Sequence, residues 1–215
     1  MQLKRQISIL GSAALIAATC FAQSSGDVRK SRISFLPPPA DGTISLGIYD
    51  ESEQLVRVLH QEADVDEFTI GADALVTSWD GKDNDDFDLP AGTYHARGFV
   101  VPKISVKQSE GGSDLGTEVA SVKIKLVANP LLKNERATIE IAAGFDDENA
   151  FIKTADGLPL LTLTQGTDIS KASLISGAEN KTLSVLITDG KGVHRFEVTG
   201  LEKMMAFDCG EIELK

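Results

Sequence analysis

Apolar residues in this chain recur at every second position, in short runs cut by Gly, Pro, Asp and Asn, and no helical spacing is sustained. A period of two places those side chains on one face of a pleated strand, which is stable only when buried against another sheet. The chain is therefore expected to be all-β, with about a dozen short strands.

The runs follow one another closely. Ile33 to Leu36 is stopped by Pro37, Pro38 and Pro39, which cannot continue a ladder. Ile44, Leu46 and Ile48 alternate within Thr43 to Tyr49, the polar residues Asp50 to Glu53 supply a turn, and Leu55 to Leu59 completes a hairpin. Phe68 with Ile70, and Thr93 to Val101, are further strands, separated by turns at Asp80-Gly81 and Pro90-Ala91-Gly92. Residues 103–121 hold Gly111, Gly112, Ser113 and Gly116 in a polar setting and read as a loop or linker. Val122 to Val127 and Ala137 to Ala142 alternate. Two hairpins then flank Asp156-Gly157 and Asp189-Gly190-Lys191-Gly192, because glycine accepts the positive φ of a tight hairpin turn. Ala206 to Leu214 reads as a strand pair around Gly210.

The amino terminus predicts export. Lys4 and Arg5 precede an uncharged stretch, Ile7 to Phe21, and Ala22 opens onto Gln23-Ser24-Ser25, the layout of a signal peptide cleaved after Ala22. The apolar stretch is shorter than the roughly 20 residues a bilayer span needs. A lipid anchor on Cys20 is disfavoured by Thr19 before it and by the absence of a Leu three positions earlier. Residues 23–32 read as a flexible lead-in. No later segment is long and apolar enough for a transmembrane span, so the mature chain is expected to be a soluble secreted or periplasmic protein. With Cys20 removed, Cys209 has no partner for an intrachain disulfide and reads as a buried, inert thiol.

The net charge of −11 argues against a nucleic-acid partner, whose phosphates call for a basic surface. The three histidines, His60, His95 and His194, are far apart and inside strands, and no nucleophile, phosphate-loop or dinucleotide motif is present. No cofactor is implied, and the chain reads as a non-enzyme.

One segment has a more specific pattern. Ile48-Tyr49-Asp50, Val56-Arg57-Val58-Leu59, Trp79-Asp80-Gly81-Lys82-Asp83 and Pro90-Ala91-Gly92-Thr93-Tyr94 occur in the order and spacing of a "V-R-x-L" strand, a "W-D-G-x-D" turn and a "P-x-G-x-Y" strand entry. Residues 43–101 thereby resemble the FlgD Ig-like domain, a module of the flagellar hook-capping protein and of many exported bacterial proteins. The resemblance implies an Ig-like β-sandwich over residues 33–102, in which Trp79, Asp80, Gly81, Pro90, Gly92 and Tyr94 build the fold and catalyse nothing. The family usually has a Gly a few residues after the turn. Asn84-Asp85-Asp86-Phe87-Asp88 stands here instead, which predicts a looser turn.

That loop also poses a metal question. Asp80, Asp83, Asp85, Asp86 and Asp88, with Asn84, are hard oxygen donors of the kind calcium takes, but EF-hand spacing is missing. A solvated acidic turn is the preferred reading.

The second half, residues 122–215, has Gly144-Phe145-Asp146-Asp147-Glu148-Asn149-Ala150-Phe151-Ile152-Lys153 with Asp156-Gly157-Leu158, and Leu186 to Gly190 with Val193 to Phe196. These segments resemble blades of NHL-type β-propellers. A closed ring needs four to eight blades, so the resemblance implies a blade-like antiparallel meander, packed on the first domain or completed by another copy in a homo-oligomer. The leading functional expectation is an exported envelope module that binds a protein partner. The rival is a propeller hydrolase subunit, active only as an oligomer.

Overall fold

The computed structural model of the protein describes residues 29–39, 41–109, 117–131, 136–176 and 182–215. The expected signal peptide, Cys20 within it, and residues 23–28 of the lead-in lie outside the described residues. Arg29 to Arg32 do not behave as a free lead-in, because strand β1 (Ser31–Phe35) already includes Ser31 and Arg32. Among the described residues there is no α-helix, only two short 3-10 turns, Val65–Glu67 and Leu201–Lys203.

The strands form four antiparallel sheets. After β1 come β2 (Gly42–Tyr49), β3 (Leu55–Ala63), β4 (Thr69–Ile70), β5 (Leu75–Trp79) and β6 (Gly92–Pro102). Next are β7 (Ser105–Ser109), β8 (Thr117–Val119), β9 (Val122–Lys125), β10 (Thr138–Phe145), β11 (Asn149–Thr154) and β12 (Pro159–Gln165). The last are β13 (Lys171–Ser176), β14 (Thr182–Asp189), β15 (Gly192–Thr199) and β16 (Met205–Leu214). Sheet one has the order β1-β5-β4 and sheet two the order β16-β6-β2-β3. Sheet three is the sequential meander β12-β11-β10-β9, and sheet four has the order β7-β15-β14-β13-β8.

Each pair of sheets encloses one core. Ile33, Phe35, Ile44, Leu46, Ile48, Leu75, Trp79, Tyr94 and Ala96 meet between sheets one and two. Ile139, Ile141, Ile152 and Leu160 of sheet three face Leu174, Val185, Ile187, Phe196 and Val198 of sheet four. The protein is thus two stacked β-sandwiches. The two blade-like segments fall in different sheets, on opposite walls of the second core.

Three features depart from the sequence reading. Residues 103–121 are not simply a linker, since they contain β7 and β8, the two edge strands of sheet four. Both strands are short and mostly exposed, so their alternation is weak. The carboxyl end is not a strand pair around Gly210 but one ten-residue strand, β16, with a bulge between Asp208 and Gly210. Gly210 has φ +86° and its N–H donates to the Asp208 carboxylate at 2.7 Å, so the glycine kinks the strand without reversing it. Finally, β16 does not stay with the second half. It pairs along β6 and adds Phe207, Ile212 and Leu214 to the first core. Phe207 stacks on Phe35 at 5.1 Å between centroids, and Gly98 makes room for it, because a Cβ there would lie 2.5 Å from the ring.

Candidate functional site

The Trp79 to Tyr94 segment forms one end of the first sandwich. Trp79 ends β5 fully buried, its ring edge-on to Tyr94 at 5.0 Å, and its indole N–H donates to the Lys82 carbonyl at 2.8 Å. Burial of so large a ring is stable only when that N–H has an acceptor, and the turn back to Lys82 supplies it. Asp80 accepts the Lys82 N–H at 3.2 Å, and Gly81 takes φ +80° against Leu214, where a Cβ would lie 2.8 Å from the leucine methyl. The Tyr94 hydroxyl donates to the Pro90 carbonyl at 2.9 Å, fastening the entry of β6 to the turn before it. Gly92 is the first residue of β6. Trp79, Asp80, Gly81, Pro90 and Tyr94 are thus each engaged in packing or in a turn.

The acidic loop is tight rather than loose. The Asp83 carboxylate accepts N–H groups from Asp85 and Phe87, each at 2.9 Å, and Asp86 occupies the left-handed region at φ +63°, a conformation that favours glycine. Arg57 of β3 donates to the Asp83 carbonyl and to the Asp86 carboxylate, the latter at 3.1 Å. Asn84 lies along the edge of β3, donating its N–H to the Val56 carbonyl at 3.2 Å and accepting the Val58 N–H at 2.7 Å. The carboxylates of Asp80, Asp83, Asp85, Asp86 and Asp88 are not gathered: among the described residues no group of three or more His, Cys, Asp or Glu side chains is placed to hold a metal ion.

Beside this loop lies a groove of about 1390 Å³. Its walls are Arg29 to Arg32 with the start of β1, Glu211 to Lys215 with the end of β16, and Asp80, Lys82 and Asp88 of the loop. Among the described residues β1 pairs only with β5 and β16 only with β6, and the two strands lie close to each other, so the groove runs along the seam where the edges of sheets one and two meet. The opposite edge, β3, is covered by Asn84 and by β12, where the Glu62 carboxylate accepts the Thr162 backbone N–H at 2.6 Å. Comparison with protein-family models, curated proteins and solved structures finds no match to this chain.

A second polar cluster sits where the sandwiches meet. Arg97 of β6, 7% exposed, holds both carboxylate oxygens of Glu53, with the Nη2 bond at 2.6 Å. Its Nε lies 3.8 Å from Asp208, and its guanidinium stacks 5.4 Å above the Tyr49 ring. Arg136, at the head of β10, reaches the same Glu53 carboxylate at 3.5 Å. Hydrogen bonding to Arg97 pulls the Glu53 carboxyl below its ordinary range. Burial, reinforced by the Asp156 carboxylate, pushes the Tyr49 hydroxyl up, so it stays protonated.

The histidines remain apart. His60 shares a hydrogen bond of 2.8 Å with Thr77, and burial lowers its pKa. His95 is 3.9 Å from Glu211, and His194 is 3.2 Å from Asp189. Cys209 is half-buried in β16, and burial raises its thiol pKa, which keeps it the unreactive neutral form. The groove was hidden from sequence reasoning because its walls come from opposite ends of the chain.

Proposed function

We propose that the chain is an exported, non-enzymatic binding or scaffold module of a bacterial envelope, with the groove between β1 and β16 as its binding surface. The observation that carries this reading is the groove itself. There the edge strands β1 and β16 and the motif loop converge. The Lys4-Arg5 start, the uncharged stretch to Phe21 and Ala22 support export. The resemblance of residues 43–101 to the FlgD Ig-like domain supports an assembly or scaffold role. The Trp79, Asp80, Gly81 and Tyr94 side chains or backbones are each engaged in packing or turns, which favours a structural use of that motif over a catalytic one.

A photo-crosslinking residue at Lys82 or Lys215 in the full-length chain, expressed in a bacterial host, tests the reading. A processed chain in the envelope fraction, crosslinked to a protein from these positions but not from exposed Val193, is the expected result. An unprocessed chain in the cytoplasm, or equal crosslinking from Val193, overturns it.

A further inference from the structure

Among the described residues β1 is the first strand, and it shares a ladder with β5 alone; it lies against β16 without pairing to it. Its fit is nevertheless specific. Ile33 and Phe35 are buried in the first core, and Phe35 meets Phe68 edge-on at 5.5 Å and stacks on Phe207. Ser31 to Phe35 face Trp79 to Leu75 in unbroken register. We propose that β1 is an exchangeable strand: two copies of the chain trade it, and each copy's β1 takes the place beside the other's β5. A second copy is the occupant because it offers the sequence that this seat already fits, and exchange needs no free strand edge. The proposal goes beyond the binding reading and does not depend on it.

Exchange conserves every contact of β1, so the link from β1 to β2 and the protein concentration set the balance. That link begins Leu36-Pro37-Pro38-Pro39. The rings lock three successive φ angles, and each proline holds the residue before it extended. Such a run resists reversal, yet in the single copy the chain bends at Pro39 and again at Asp41 before β2 starts. In the exchanged pair the same link runs on straight into the second copy, which relieves that conflict; short links under strain are where strands exchange. The pair has twofold symmetry, and its two links cross near the axis. Leu36, 59% exposed in the single copy, thereby gains an apolar neighbour. The single copy is the form in dilute solution, and the dimer grows with concentration.

The test uses the full chain with the substitutions Cys20→Ala and Cys209→Ala and a new cysteine pair, Ser34→Cys and Val76→Cys. Ser34 and Val76 are directly opposite on β1 and β5, within reach of a disulfide. Light scattering over a hundredfold range of concentration should show a dimer fraction that rises. Oxidising the isolated dimer should join its two chains covalently, whereas the isolated monomer should close the bond within one chain. The triple variant P37A/P38A/P39A should dimerise at least tenfold more weakly. L36S should do the same while the melting temperature of the monomer stays unchanged. A chain that remains monomeric throughout overturns the proposal. So does a dimer whose disulfides all lie within single chains, or one that the proline and leucine variants leave equally tight.

Discussion

At the scale of single residues, Trp79 and Glu53 illustrate two ways a side chain holds this protein together. The Trp79 ring is fully buried, and its one polar atom is satisfied by Lys82. Replacing it with Phe removes volume and leaves the Lys82 carbonyl without its donor, for an expected loss of about 1–3 kcal/mol, and Trp79→Ala should lose about 3–5 kcal/mol. Urea unfolding of the two variants measures this; midpoints equal to the wild type would mean the indole is not the plug of the first core. Glu53 works through charge. Because Arg97 holds its folded pKa below the ordinary value, ionised Glu53 adds stability above roughly pH 5, and that stability drains away as the pH falls through the lower folded pKa. The stability gap between wild type and Glu53→Gln should therefore be full at neutral pH and shrink in acid. Melting temperatures collected across that pH series check the sign. A gap that widened on acidification would contradict the pairing. Most of the Glu53 side chain is exposed, so solvent screening keeps the effect small.

At the scale of elements, hairpins were legible and long-range partners were not. The turn at Asp156-Gly157 joins paired strands β11 and β12, and that at Gly190-Lys191, within the expected Asp189 to Gly192, joins β14 and β15, because glycine and alternation are local signals. The Trp79 turn and the Tyr94 strand entry were legible for the same reason. Local pattern carries no address, however, so nothing in Met205 to Leu214 states that this strand returns to β6. Nor could Arg29 to Arg32 and Glu211 to Lys215 be read as two walls of one groove. β7 and β8 escaped notice because an edge strand with polar exposed positions looks like a loop. The return of β16 has a measurable consequence. A chain ending at Met204 lacks Phe207, Ile212 and Leu214 and exposes the edge of β6, a loss on the order of the 5–15 kcal/mol that stabilises a typical domain. Such a chain should lose the near-ultraviolet dichroism of buried Trp79, and a synthetic peptide of residues 205–215 added in trans should restore it. Native dichroism in the truncated chain without the peptide would show that β16 is dispensable.

At the scale of the whole molecule, the question is whether two sandwiches behave as two domains. Independent domains meet through a surface that separates without disturbing either core. Here β6 and β16 give buried residues to both cores. β6 gives Tyr94, Ala96 and Val100 to the first and Phe99 and Val101 to the second, while β16 gives Ala206 to the second and Phe207, Ile212 and Leu214 to the first. Neither core can open without stripping a strand from the other. Polar ties add to this at two points, Glu62 with Thr162 and Glu53 with Arg97 and Arg136. Shared strands are a covalent and hydrophobic coupling, whereas the ion pairs are screened by solvent, so the strands should dominate. Calorimetry of the full chain is therefore expected to give one transition, with the calorimetric enthalpy equal to the van't Hoff value. The double variant Glu62→Gln, Arg136→Ala should melt at a lower temperature, still in a single step. Two resolved transitions in that variant would show that the polar ties, and not β6 and β16, make the sandwiches unfold together.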